Sequence, residues 1–222
     1  MDIALIGGHG KVALLAEPLL TGAGAGVDAI IRDAAQAPDV EATGARAVVA
    51  DIEHLDADGW DALLRGHDAV VWAAGAGGGD PSRTRAVDRD AAIASMEAAA
   101  RVGARRYVMV SYFGAGPDHG VPEDDAFFPY AQAKSDADAH LASTALDWTI
   151  LRPSRLTDEA SGGGVEADAR AAASVSRATV AEVVAAAVVR DDLGGAIVPF
   201  NDGGTPVGVA LDAVSQARAG TR

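Results

Sequence analysis

The sequence contains no cysteine. Disulfides, thiolate nucleophiles and Cys-ligated zinc are therefore excluded. Lysine is almost as scarce: Lys11 and Lys134 are the only two among 18 basic residues, set against 32 acidic ones. The resulting formal charge of −14 opposes binding to nucleic acid, whose phosphates it would repel, and docking on anionic membranes. Aromatics make up only 5% of the 222 residues, so a core must be built from Ala, Val, Leu and Ile. No apolar run approaches the length of a membrane span. Met1 and Asp2 lead straight into an apolar stretch without a signal-peptide pattern, so the expected location is the cytoplasm. The histidines at 9, 54, 67, 119 and 140 form no H-x-H or H-E-x-x-H cluster, so no metal site is expected. There is also no G-x-S-x-G elbow to support a hydrolase.

What the chain does contain is an alternation of short β-rich runs with longer Ala-rich stretches. Runs at 3–6, 28–31, 47–50, 69–72, 107–110, 148–151 and 196–200 are continuously apolar, as strands covered on both faces should be. Helices are expected between them at 10–21, 34–43, 59–65, 83–102, 130–142 and 180–189. Strand and helix in turn imply right-handed parallel βαβ units. The expectation is a single domain over residues 1–222, an α/β doubly wound fold with a mostly parallel sheet of about seven strands flanked by helices. Thr179 with Glu182 fits a capping box, and the Gly-rich stretch 161–164 reads as a mobile loop, either a lid or a plain solvated connection.

IALIGGHGKVA joins the first strand to the first helix. Gly7 and Gly10 have the spacing that lets backbone amides approach a pyrophosphate, and Ala13 is the third small residue, where the helix packs on the sheet. The context of strand, turn and helix at the start of a βαβ series points to dinucleotide binding. Lys11 and His9 lie in this loop, where each could contact ligand or simply be solvated. IIRD ends the second strand, and Arg32 is a candidate for the extra phosphate of NADP, although Asp33 beside it could turn inward instead. NADP(H) is therefore favoured over NAD(H). After the third strand, Asp51 could accept from an adenine amino group while Ile52 packs on the ring; a helix-capping Asp51 is the alternative. After the fourth strand, WAAGAGGG offers Ala73, Ala74 and Gly75 where backbone can pass close to a ligand.

The fifth strand ends in VMVS, which exposes Ser111 at the same edge. In YAQAK, Tyr130 and Lys134 are four apart and so share one helix face. An ammonium beside a phenol would pull its pKa down from near 10, making Tyr130 an acid/base, with Ser111 fixing the reacting oxygen. A compact ammonium suits that place better than a planar guanidinium, which gives a reason for lysine in an arginine-biased chain. Phe127 and Phe128, just before the tyrosine, either wall a substrate pocket or anchor the helix start.

GGHGKVA, IIRD, VVADI, VVWAAG, VMVS, YAQAK and DWTILRPSRLTD together resemble the short-chain dehydrogenase/reductase superfamily. They look closest to its atypical single-domain NAD(P)H-binding branch, with relatives of NmrA, biliverdin reductase B and flavin reductases. The resemblance implies a seven-stranded Rossmann sheet. It also implies cofactor contacts from Gly7, Gly8, His9, Gly10, Lys11, Val12, Arg32, Asp51, Ile52, Ala73, Ala74, Gly75 and Lys134, with Pro153, Ser154 and Leu156 bordering the nicotinamide. Many members of that branch lack the active tyrosine, whereas here Tyr-x-x-x-Lys is intact. The expected activity is hydride transfer from NAD(P)H to a small carbonyl, quinone or flavin-like acceptor, with Ser111, Tyr130 and Lys134 as catalytic residues. The alternatives are an NADP(H)-binding sensor without turnover and an NAD-dependent epimerase/dehydratase-like enzyme. The short tail after Phe200 leaves little material for the substrate domain of the latter. A small-molecule substrate and a monomer or small homo-oligomer are expected.

Overall fold

The seven apolar runs form the consecutive parallel strands of one nine-stranded sheet in the computed structural model, which describes residues 1–77 and 80–220. In chain order the strands are β1 (Asp2–Ile6), β2 (Gly26–Ile31), β3 (Arg46–Val49), β4 (Ala69–Trp72), β5 (Arg106–Val110), β6 (Asp147–Pro153), β7 (Arg155–Thr157), β8 (Gly164–Ala167), β9 (Ser174–Ser176), β10 (Ala196–Asp202) and β11 (Thr205–Pro206). The sheet order is β11-β8-β10-β6-β5-β4-β1-β2-β3. From β10 to β3 every neighbouring pair is parallel. β8 adds antiparallel to β10 and β11 to β8, while β7 and β9 pair separately. These four extra strands have two to four residues each, too short for an apolar run, although Val165 of β8 and Val175 of β9 are buried in the core.

The helices are α1 (Ala13–Gly22), α2 (Ala37–Glu41), α3 (Ala57–Leu64), α4 (Pro81–Thr84), α5 (Ala92–Val102), α6 (Phe128–Ser143), α7 (Arg177–Val188) and α8 (Val207–Ala219). Side chains of β1 alternate between two cores, as the strand period requires. Ile3 and Leu5 join the layer containing α1 and α7 residues; Ala4 and Ile6 join the layer of Trp60, Leu64, Met96 and Leu141 from α3, α5 and α6.

Three expectations need correction. The helix predicted over 83–102 is interrupted by a π-helical stretch, Arg85–Ala91, between α4 and α5. α8 has no predicted counterpart, although Val207, Ala210, Leu211 and Val214 form an apolar stripe packed on the core. The cap of α7 is Ser176, not Thr179. Its hydroxyl oxygen accepts from the Thr179 amide at 3.0 Å, and Glu182 instead accepts from Ser161 at 3.0 Å. The stretch 161–164 is thus tied to α7 at Ser161, and Gly164 already belongs to β8.

Glu17 on α1 is fully buried. Its Oε2 accepts from Thr43 Oγ1 at 2.9 Å, while Oε1 has no partner among the described residues. Burial raises its pKa from 4.5 to about 7, against smaller opposing effects of Thr43 and His9. Between those two values the folded chain keeps a proton that the unfolded chain has lost, so stability falls as pH rises. The loss approaches about 3 kcal/mol above pH 7. Glu17→Gln is expected to raise the urea midpoint at pH 8 and flatten its pH dependence between 5 and 8. An unchanged slope contradicts this.

Candidate functional site

The chain leaves β1 and turns on Gly7, whose φ of +90° favours glycine. A Cβ at Gly7 would lie 2.6 Å from Ala74 Cα, and one at Gly8 2.6 Å from the Ala29 side chain. The loop is therefore pressed against the turn after β4 on one side and against β2 on the other. The Gly7 and Gly8 amides both donate to the Ile30 carbonyl, at 3.1 and 2.9 Å. These two glycines thus supply close approach, and their amides are not the phosphate donors. The Lys11 and Val12 amides, at the start of α1, have no intramolecular acceptor among the described residues. They leave free donors at the positive end of a helix, where an anion is favoured.

Two cavities open at the carboxyl ends of the parallel strands and share Ala73, Ala74 and Gly75. The smaller, about 220 Å³, is lined by Gly7, His9, Gly10, Arg32, Ile52, Glu53 and Arg83 among others. The larger, about 520 Å³, is lined by Val12, Asp88, Ser111, Tyr112, Phe127, Tyr130, Lys134, Pro153, Ser154 and Leu156 among others. Gly78 and Gly79 of the WAAGAGGG run lie outside the described residues. A separate cavity of about 930 Å³ lies between β8, β10 and α8 and contains none of the predicted residues. Its size does not make it the reaction site, because the phosphate loop and the tyrosine helix both face elsewhere.

Three predicted residues line neither cavity. Gly8 is spent on packing. Lys11 is exposed and pairs with Asp158 at 3.2 Å. Asp51 accepts from His54 at 2.9 Å and from the Glu53 amide at 3.2 Å, closing a local turn. His9 reaches the cavity wall but pairs with Asp39 at 2.8 Å. Asp33 does not turn inward; it caps the short 3₁₀ turn Ala34–Gln36.

At the chemical end, α6 carries Tyr130, Lys134 and Asp138 one turn apart. Lys134 is buried, and its Nζ donates to the Val110 carbonyl at 2.8 Å. Burial lowers its pKa, and the carboxylates of Asp88 and Asp138 oppose that shift. Lys134 is not among the influences on the Tyr130 phenol. Burial, then Asp88, Asp138 and Tyr112, push the Tyr130 phenol up, so it stays protonated at neutral pH. Ser111 also departs from its expected role: its hydroxyl donates to Asp138 Oδ2 at 2.9 Å, leaving only lone pairs for a ligand. Asp138 Oδ2 also accepts from Arg152 Nε at 3.0 Å and forms an ion pair with Arg152 Nη2 at 3.0 Å. Ser154 is likewise committed, donating to Asn201 Oδ1.

Residues not foreseen from the sequence complete the site. Asp88 sits in the π-helical stretch, is buried, and accepts from the Ala76 amide at 3.0 Å. No spacing rule marks it, because a π turn shifts the face that a regular helix would present. Tyr112, Phe127 and Tyr130 form a mutual ring cluster with centroids 5.2 to 5.6 Å apart. Phe127 therefore walls the cavity, whereas Phe128 turns away onto His119.

The donor set and shape fit an extended dinucleotide. Val12 at the helix start lines the larger cavity together with an aromatic wall, and the cations Arg32 and Arg83 lie at the smaller one.

Comparison with known proteins agrees with this geometry. A family model described as NAD(P)H-binding matches residues 7–191. The Bacillus subtilis protein YhfK, named an uncharacterized sugar epimerase, is 33% identical over 95% of this chain and 99% of its own length. A Bacillus halodurans structure described as an NAD-dependent epimerase/dehydratase superposes with a TM-score of 0.87 at 31% identity, covering 97% of this chain and 99% of that one. The Lactococcus lactis oxidoreductase ylbE superposes with a TM-score of 0.87 at 27% identity, covering 97% of each chain. The atypical reductase branch to which the motifs pointed is thus the right neighbourhood, and the chain belongs to the NAD(P)H-binding family.

Proposed function

We propose that this chain is an NAD(P)H-dependent oxidoreductase that delivers hydride to a small acceptor, with NADP(H) favoured over NAD(H). The observation that carries this reading is the pair of cavities meeting at Ala73–Gly75, with Arg32 at one end and the tyrosine–phenylalanine wall at the other. When bound, the nicotinamide supplies the hydride. The chain's own residues do the rest: Gly7 and Gly10 let backbone approach the diphosphate, and the Lys11 and Val12 amides donate to it. Arg32 meets the 2′-phosphate. Tyr112 and Phe127 form a flat apolar wall that suits a conjugated acceptor of the quinone or flavin class.

Such an acceptor stabilises its own developing charge, so it has no need for a sharpened phenol. A simple carbonyl does need a proton at its oxygen, and Tyr130 is the donor at hand. Its raised pKa keeps that proton in place but makes it a weaker acid. Tyr130→Phe is therefore expected to lower turnover of an aldehyde or ketone by about 100-fold or more, and to leave reduction of a quinone or flavin within about threefold. Unchanged carbonyl turnover would remove Tyr130 from the mechanism.

The epimerase names of the relatives favour a second reading, in which the nucleotide is reduced and reoxidised within one turnover on a sugar. Net consumption of NADPH in the presence of acceptor separates the two, since an epimerase consumes none. The cofactor preference has its own test. Arg32→Gln is expected to weaken NADPH binding by about tenfold while leaving NADH within about twofold. Equal loss for both would dissociate Arg32 from the 2′-phosphate.

A further inference from the structure

Arg32 does not face the smaller cavity alone. Glu53 Oε1 lies 3.5 Å from Arg32 Nη1 and 3.0 Å from Arg83 Nε, and all three side chains line that cavity. The two contacts differ in kind. Arg83 is fixed on both sides, because its Nη1 also donates to the Ala76 carbonyl at 2.6 Å. Arg32 makes the longer contact and lies within electrostatic reach of Asp51. No hydrogen bond holds it among the described residues, and its side chain is 58% exposed against 17% for Glu53. A sheltered carboxylate thus sits between a locked guanidinium and a loose one, and the loose one is the candidate for the 2′-phosphate.

We propose that Glu53 is the residue that sets the choice between NADP(H) and NAD(H), by competing with the 2′-phosphate for Arg32. This inference rests on the cofactor reading above and deepens it. A phosphate bound to Arg32 must loosen the Glu53 contact and then bear the repulsion of a nearby carboxylate. A ribose hydroxyl carries no charge and feels neither effect. Arg83 matters through Glu53: by holding the carboxylate on its own side, it moderates the competition. The preference for NADP(H) is therefore kept below what two arginines alone would provide.

The test is titration of NADPH and NADH, followed by nicotinamide fluorescence, on the wild type, Glu53→Gln, Arg83→Gln, the double variant and Arg32→Gln. Glu53→Gln removes charge but keeps an amide oxygen for Arg83 Nε, so the loop geometry is retained. The NADPH/NADH affinity ratio is expected to rise by about tenfold in Glu53→Gln, with NADH itself within about twofold. It is expected to fall in Arg83→Gln, where Glu53 turns fully to Arg32, and to recover in the double variant. A ratio that is unchanged or lower in Glu53→Gln would overturn the proposal, as would an unrecovered ratio in the double variant. Failure of the underlying cofactor reading looks different: no binding of either nucleotide by the wild type, or no change of the ratio in Arg32→Gln.

Discussion

The constraint that shapes the cleft is the contact between two turns, Gly7 after β1 against Ala74 after β4. β1 lies between β2 and β4, so the strand order reverses there and successive connections leave toward opposite faces of the sheet. A cleft necessarily opens at the carboxyl ends. The Gly7–Ala74 contact narrows its middle into a strait, with a small polar cavity on one side and a larger aromatic one on the other. Any side chain at position 7 would have to displace backbone rather than a flexible group, so the strait allows little variation at that point.

The second organising feature is a buried run of charge. Lys134 shares the interior with Asp88 and Asp138, and Asp138 in turn holds Ser111 and Arg152. A lysine serves this place for a reason different from the one first suggested by its rarity. An ammonium on a slender stem donates to one carbonyl while Asp88 and Asp138 act on it through charge, whereas a guanidinium would bring five donors to a space with few acceptors. The network keeps the end of β5 fixed to α6, which positions Tyr130 on the cavity wall. It does not lower the tyrosine's pKa, and it leaves Ser111 without a proton to offer. This arrangement accords with the proposed transfer of hydride to an acceptor that can carry its own charge.

The sequence made the parallel part of the sheet legible, because strands buried on both faces must be continuously apolar, and seven such runs stand out. The short strands β8 and β11 and the pair β7–β9 leave no such trace, since none has more than four residues. The same contrast holds within the site. Residues tied to backbone necessity, such as Gly7, Gly10, Ala73 and Gly75, were found by spacing. Tyr130, Lys134 and Ser111 were found by position, yet their hydrogen bonds were not, because partners such as Asp88 and Arg152 come from elements distant in sequence. Asp51 shows the limit of a positional rule: it lies at the right edge, but its nearest donors are its own neighbours His54 and Glu53. Glu53, two residues on, is the acidic group that reaches the cavity.

The central claim is that one nucleotide spans both cavities through the strait at Gly7. Calorimetric titration of NADPH into the wild type and Gly7→Ala, with folding of both checked by circular dichroism, tests it most directly. The account predicts one nucleotide bound per wild-type chain and a loss of about 100-fold or more in the folded variant. A wild type that binds no nucleotide, or a folded variant that binds as well as the wild type, would contradict it.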